Sequence, residues 1–312
     1  IARIFSRIAN GSTRYGLGAS GFENLEIWLA PLPEQRKIAR ILTTVDNLIE
    51  QTEALIEKYK SIKQGMMHDL FTRGVDSTGQ LRPPYEDAPH LYKQSPLGRI
   101  PKEWEAGPLG AIADLQVGYA FKSSWFREDR GIPLLRGENV GYGRADWKDT
   151  QRLDESHAFQ YAEYELQDGD IVIGMDRTFI KSGVKITVLQ AEDCPALLVQ
   201  RVGKFIATRC ESDYLRVLLA NPTFHADLML QQKGMDIPHL SKSEILTPVV
   251  PRPSSQEQRA IADRLLSMDR RVASESDTVA KLKLQKSGLM QDLLTGKVRV
   301  KVDETEEVTA DV

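Results

Sequence analysis

Glu34-Gln35-Arg36-Lys37-Ile38-Ala39 and Glu257-Gln258-Arg259-Ala260-Ile261-Ala262 carry nearly the same six-residue phrase, 223 positions apart. Held at that offset without a gap, the match continues. Leu42 falls on Leu265, Asp46 on Asp269, Lys63 on Lys286, Met67 on Met290, and Asp69-Leu70 on Asp292-Leu293. Residues 34–74 and 257–297 share 15 identities in 41 positions. A repeat of that density implies one structural unit used twice.

Each copy reads as one long helix. Apolar residues of the first fall at Ile38, Leu42, Val45, Leu48/Ile49, Ile56, Tyr59, Ile62, Met66 and Leu70. Those of the second fall at Ile261, Leu265, Met268, Val272, Val279, Leu282, Leu289 and Leu293, interrupted by Glu275 and Lys286. Steps of three and four make the seam of a coiled coil. Pro33 suits a first helical turn, Ser255-Gln256-Glu257-Gln258 suits a capping box, and Gly74 and Gly296 stand where a left-handed cap ends a helix. A helix of roughly 40 residues is about 60 Å long, and its apolar stripe needs a partner. The economical partner is the other copy, parallel or antiparallel.

Between the repeats the composition changes. Residues 75–95, with Asp76-Ser77-Thr78-Gly79 and Pro83-Pro84, read as a linker. Residues 96–250 read as one mixed domain. Strands are predicted at Leu109–Val117, Ile132–Leu135, Asp170–Gly174 and Val184–Leu189, and a helical stretch at Glu211–Gln232 split by Pro222. Gly11 to Glu34 and Gly234 to Glu257 span equal intervals, so residues 1–30 read as the tail of a second copy of the middle domain. Residues 298–312 read as a charged, flexible tail, and an N-terminal Ile in place of Met implies that the natural start lies upstream.

Composition narrows the function classes. The net charge of −3 argues against a DNA binder that works by bulk charge, but residues 171–209 hold six Lys/Arg against three acids. Cys194 and Cys210 are too few and too far apart for a zinc site, and read as free thiols in a reducing cytoplasm. No apolar run reaches the roughly 20 residues that cross a bilayer. His225 and His239 lack metal-ligand spacing, and no carboxylates show nuclease-like pairing. Arg82-Pro83-Pro84-Tyr85 resembles the Asn-Pro-Pro-Tyr loop of adenine methyltransferases, but Arg replaces the Asn, and no glycine-rich cofactor turn accompanies it.

Domain, long helix, domain, long helix resembles the specificity subunit of type I restriction-modification systems. Four segments carry the resemblance: Pro31–Ala39 as the start of a spacer helix, Leu97-Gly98-Arg99-Ile100-Pro101-Lys102-Glu103-Trp104-Glu105 as the start of a target recognition domain, Asp168–Asp176 as its central strand and turn, and Gln200–Phe205 as the next strand. The resemblance implies an α+β fold, a globular target recognition domain with long antiparallel coiled-coil spacer helices. The domains would be 1–30 (remnant of a first recognition domain), 31–74 (central spacer helix), 75–95 (linker), 96–250 (recognition domain), 251–297 (distal spacer helix) and 298–312 (tail).

It also implies a non-catalytic, cytoplasmic chain that reads half of a split site in double-stranded DNA. Two methyltransferase subunits and, through them, restriction subunits would assemble on it in defence against foreign DNA. A half-sized subunit would pair with itself. S-adenosylmethionine, ATP and magnesium would bind the partner subunits, and neither metal nor cofactor this chain. The spacer and docking helices would present Ile38, Leu42, Val45, Ile49, Ile56, Tyr59, Met66, Ile261, Leu265, Val272, Val279, Leu282 and Leu289.

Readout needs Lys, Arg and hydroxyl groups for phosphates, and Arg, Asn, Gln or acids on loops for base edges. Three loops and one turn supply them. Gly118–Ser124 offers Tyr119, Lys122 and Ser123, with the aromatic rings equally suited to a core. Arg136 and Asn139 follow a strand. Asp176, Arg177, Thr178 and Lys181 lie in the basic stretch. Arg201 completes the set, although Gln200 and Arg201 equally suit a buried hydrogen-bonded pair. Two other readings remain: a methyltransferase acting alone, which the missing motifs disfavour, and a coiled-coil scaffold without DNA readout.

Overall fold

The structure, a computed structural model, describes residues 28–181, 183–231 and 239–302. The expected domain remnant at 1–30, except for its last three residues, and the tail beyond 302 therefore lie outside the described residues. The chain divides into two compact units, one of residues 1–60 with 271–312 and one of residues 61–270. The boundary cuts both repeated helices, Leu32–Thr72 and Ser255–Leu293. The sequence reading placed it at their ends. The difference arises because Met67, Leu70, Phe71, Ile261 and Leu265 belong to the core of the second unit.

Within the first unit the helices run antiparallel. Asp46 faces Lys286 at 2.5 Å and Glu53 faces Lys283 at 2.7 Å, so numbers rise on one helix as they fall on the other. Ile38 packs with Leu293, Leu42 and Leu289, and Ile49 and Ile56 pack with Val279, Val45, Val272 and Leu282. Tyr59 is half-buried. The seam drifts in three places: Leu48 and Ile62 are 45% and 41% exposed, and Met67 is more deeply buried than its neighbour Met66. Within the second unit Lys63 meets Asp269 at 2.5 Å. That pair is the Asp46–Lys286 pair with its partners exchanged between the repeats.

The repeated Glu-Gln at each helix start has a structural purpose. Gln35 Nε2 donates to the Ala30 carbonyl at 2.7 Å, and Gln258 Nε2 to the Pro253 carbonyl at 2.9 Å. Glu34 is buried and accepts from Arg299 Nε at 2.9 Å and from the Val300 N–H at 2.9 Å. Those bonds, from Arg299 first and Val300 second, hold its carboxyl below the ordinary carboxylate range. Glu257 is buried likewise. It accepts from Arg82 Nη1 at 2.5 Å, Trp104 Nε1 at 2.9 Å and the Val75 N–H at 2.8 Å. Burial opposes the Arg82 charge, but the bonds and charges of Glu257 and Glu103 outweigh it, and the guanidinium holds its proton more tightly than usual. Gly74, at φ 61°, closes the clamp: a Cβ there would stand 2.3 Å from Trp104.

This corrects the expectation of a linker at 75–95. Arg82 and Tyr92 are each 6% exposed, Val75 bridges Leu81, and Tyr92–Ser95 pairs with Gly98–Pro101. The Arg that disqualified a methyltransferase loop belongs to the clamp.

The rest of the second unit is α+β. A four-stranded antiparallel sheet has the order Ile186–Val188, Ile171–Gly174, Val202–Ala207, Ala113–Val117. Alternation sorts its faces. Ile171 and Ile173 join the main core with Leu115, Phe205 and the helices Ser212–Leu219 and Pro222–Leu230, whereas Val172 and Val202 join a second cluster with Leu135 and Leu198. Asn221 caps the second of these helices, so the chain breaks where Pro222 predicts. The strand expected from Leu109 starts only at Ala113, after a 3-10 turn. A five-stranded sheet contains Ile132–Leu135 parallel to Ala196–Leu198. Glu105–Pro108 pairs with Val249–Arg252 and ties the two ends of the domain together. Among the described residues no helix is long and apolar enough to cross a membrane.

Glu257→Ala strands the buried Arg82, Val75 and Trp104 donors, and is expected to cost roughly 3 kcal/mol in urea unfolding. A loss within that of an average surface substitution would show that the clamp is not a stability element.

Candidate functional site

Four chain segments meet at one corner because of strand direction. Ile132–Leu135 and Ala196–Leu198 run parallel, so the segments after them, 136–138 and 199–201, leave on the same side. Gly174 pairs with Val202 and Val117 with Gly203, which brings the ends of two further strands to the same turn. Gly118 is required there, since a Cβ would lie 2.3 Å from the Val199 carbonyl oxygen. The corner holds a cleft of about 640 Å³ lined by Ser123, Arg136, Glu138, Asp176, Arg177, Lys185, Gln200 and Arg201, among others.

The structure therefore brings together five of the ten residues singled out from the sequence: Ser123, Arg136, Asp176, Arg177 and Arg201. Arg136 pairs with Glu138 at 2.6 Å, and Arg201 with Asp176 at 2.6 Å. Asp176 also faces His239 Nδ1 at 3.2 Å. Among the described residues Arg177 has no ion-pair partner. Gln200 and Arg201 are both exposed, which settles against a buried hydrogen-bonded pair.

The other five have different surroundings. Asn139 is 2% exposed and its amide is spent on the Asp146 carbonyl at 2.9 Å and Thr150 at 3.2 Å, while its oxygen accepts from the Arg136 N–H. Thr178 is fully buried and donates to the Met175 carbonyl at 3.0 Å. Both hold loop shape and are withdrawn from contact with a ligand. Tyr119 packs on Tyr161 and Phe121, ring centroids 4.6 and 5.1 Å away. Lys122 lies over the Trp125 ring at 5.3 Å. Lys181 is exposed at the turn of a small hairpin, Phe179–Ile180 with Gly183–Val184, within the segment expected as a loop between two strands. Its neighbour Ser182 lies outside the described residues.

Two lining residues were missed. Lys185 is 9% exposed and donates to the Gly137 carbonyl at 2.8 Å. Burial first, then the Arg177 charge, push its pKa below that of an ordinary lysine. A lysine between Val184 and Ile186 was the available signal. Gln200 was noted only as a possible partner of Arg201.

Arg177 and Arg201 share a second feature: their φ values are 46° and 65°. Left-handed backbone disfavours side chains that bear a Cβ. Arg201 is the third residue of a turn closed by the Val202 N–H on the Val199 carbonyl at 3.1 Å, a position that suits glycine. Its side chain is 65% exposed, so packing does not repay the strain. The cleft thus offers four cations against two acids, with guanidinium forks able to bind paired acceptors. Among the described residues no group of three or more His, Cys, Asp or Glu is placed to hold a metal ion.

The family model of the type I restriction modification DNA specificity domain matches residues 1–60 and 101–284. The chain is 37% identical over 282 residues to the type I restriction enzyme MjaVIII specificity subunit of Methanocaldococcus jannaschii, covering 90% of this chain and 64% of that one. It is 33% identical over 184 residues to the type I restriction enzyme EcoAI specificity subunit of Escherichia coli, covering 55% of this chain and 31% of the relative. It thus spans less than two-thirds of either relative. The crystal structure of the type I restriction-modification S subunit from M. genitalium shares its fold, with a TM-score of 0.54 at 20% identity over 92% of this chain and 68% of that one.

Arg201→Gly removes the side chain and the left-handed strain together. The thermal midpoint is expected to stay level or to rise, by no more than about 1 kcal/mol of stability. A clear fall would show that the Arg201–Asp176 bond serves the fold.

Proposed function

The chain belongs to the family of type I restriction modification DNA specificity domains, and from that premise we propose that its 96–250 domain reads one half of a bipartite site in double-stranded DNA through the Arg136–Arg177–Arg201 cleft. The observation that carries the reading is the pairing of strain with exposure. Two arginines occupy costly backbone conformations, and their side chains pack little. An exposed arginine in such a conformation points to work done by its side chain. The positive balance of the cleft suits a polyanion, and its exposed guanidinium groups suit base edges in the major groove.

The chain is the reading component and not the reacting one. Methyl transfer and cleavage belong to methyltransferase and restriction subunits that dock on the paired helices, and S-adenosylmethionine, ATP and magnesium bind those partners. Residues on the outer helix faces, such as Leu48 at 45% and Leu284 at 74% exposed, suit such docking.

Arg177→Ala tests the cleft, and Lys181→Ala beside it tests the adjoining hairpin turn. Binding to a target duplex should weaken, and the slope of log affinity against log salt should flatten by roughly one unit per lost phosphate contact. Docking of the methyltransferase subunit should be unchanged. Equal affinity at two salt concentrations would remove the cleft as the DNA site. Replacing residues 61–270, so that the Arg82, Trp104 and Glu257 clamp is exchanged whole, with the equivalent unit of a relative should change only one half of the methylated motif, and a change in both halves would contradict a self-contained reader.

A further inference from the structure

We propose that Arg201 reads a guanine edge in the major groove, that Asp176 is its positioning residue, and that Arg177 serves the phosphates; this rests on the cleft being the DNA site. The two arginines stand in one cleft but are held differently. The backbone of Arg201 is pinned on both sides. Its turn is closed by the Val202 N–H, and its carbonyl accepts from the Met175 N–H at 2.9 Å. The next residue along, Asp176, then meets the guanidinium, Nη1 to Oδ2, at 2.6 Å.

Asp176 is fixed in turn. Its other oxygen faces His239 at 3.2 Å, its backbone bridges that of His239, and the Leu240 N–H donates to the Met175 carbonyl at 2.9 Å. With both oxygens engaged, Asp176 acts as a brace for Arg201. A guanidinium has five N–H donors, and this contact uses one of them. The free edge can still present the two parallel donors that match O6 and N7 of guanine.

Charge decides between base and phosphate. A guanidinium bound to a carboxylate is a poor phosphate ligand, because the carboxylate approaches the phosphate with it and repels it. Base edges carry no net charge and impose no such penalty. Arg177 has no ion-pair partner among the described residues and lies beside Lys185, whose charge it opposes. Asp176 and Glu138 favour the Lys185 charge, so Arg177 is the cation of the cleft that lacks a carboxylate partner among the described residues, and such a cation suits a phosphate. Arg136 is intermediate, since its partner Glu138 is only two residues away and 62% exposed.

The test uses the full-length protein assembled with its methyltransferase subunits to select duplexes from a randomised library. Arg201→Ala should relax one G·C position by roughly ten- to a hundred-fold and leave the other positions intact. Asp176→Asn should relax the same position by a smaller factor, and Asp176→Glu should retain most of the discrimination. Arg177→Ala should leave the motif intact while it lowers affinity and flattens the salt slope by about one unit. Uniform weakening by Arg201→Ala with an unchanged motif would make Arg201 a phosphate contact and overturn the proposal. Relaxation by Arg201→Ala with Asp176→Asn like wild type would overturn the positioning role. If none of these variants alters affinity or motif, the cleft is not the DNA site, and the broader functional reading fails instead.

Discussion

A buried carboxylate at the start of each long helix constrains everything around it. An ionised group out of water costs several kcal/mol unless charge and hydrogen bonds compensate. Glu34 and Glu257 are compensated in the same way, by an arginine and a backbone N–H from the segment that follows the other helix. That requirement brings the start of one helix beside the end of its partner. Only an antiparallel pair satisfies it, so the clamp selects an orientation that the apolar seam alone leaves open. It also accounts for Gly74, where a Cβ would meet both the carboxylate and Trp104, and for the packing of residues 75–95.

The cleft follows from the same economy at the level of strands. One parallel pair and two antiparallel pairs deliver four strand ends to the Val199–Val202 turn. The apolar residues of those strands are buried in three clusters, which leaves the loops as the free polar surface. Asn139 and Thr178 then spend their polar atoms on loop carbonyls. The arginines can sit in unfavourable backbone because their surroundings over-determine it.

Much of this was legible in the residues. The repeat gave the helices to within a few positions, because a seam with a step of three or four is a direct consequence of 3.6 residues per turn. Pro222 and Asn221 announced the helix break. The readout loops were legible as regions, since strand ends show in alternation and in glycine. Which polar side chain in a loop stays free was not legible. Asn139 and Arg136 look equally available in sequence, but three hydrogen bonds to groups up to eleven residues away consume the first. Arg82 fails for the same reason at longer range. Its partner is 175 positions distant, and only the folded chain reveals that a proline-rich stretch is core. Lys185 shows the converse, a charge inside an apolar strand that turns out to line the cleft.

The acidic composition and the cationic cleft are compatible because fields in salt are local, reaching about 10 Å at 0.1 M. On the helices acids and bases neutralise each other: Asp46 with Lys286, Glu53 with Lys283, and Lys63 with Asp269. In the cleft the neutralisation is incomplete. Arg201 and Arg136 have acidic partners, whereas Arg177 has none among the described residues, and the buried Lys185 has its charge favoured by Asp176 and Glu138 and opposed by Arg177. An anion that meets Arg177 supplies the counter-charge that it lacks among the described residues, so the cleft favours a ligand that carries negative charge at that spot. The braced Arg201 gains little from the same charge, since its carboxylate already supplies one. Within a single cleft the two arginines are thereby set up for different work, one by lacking a partner among the described residues and the other by holding it.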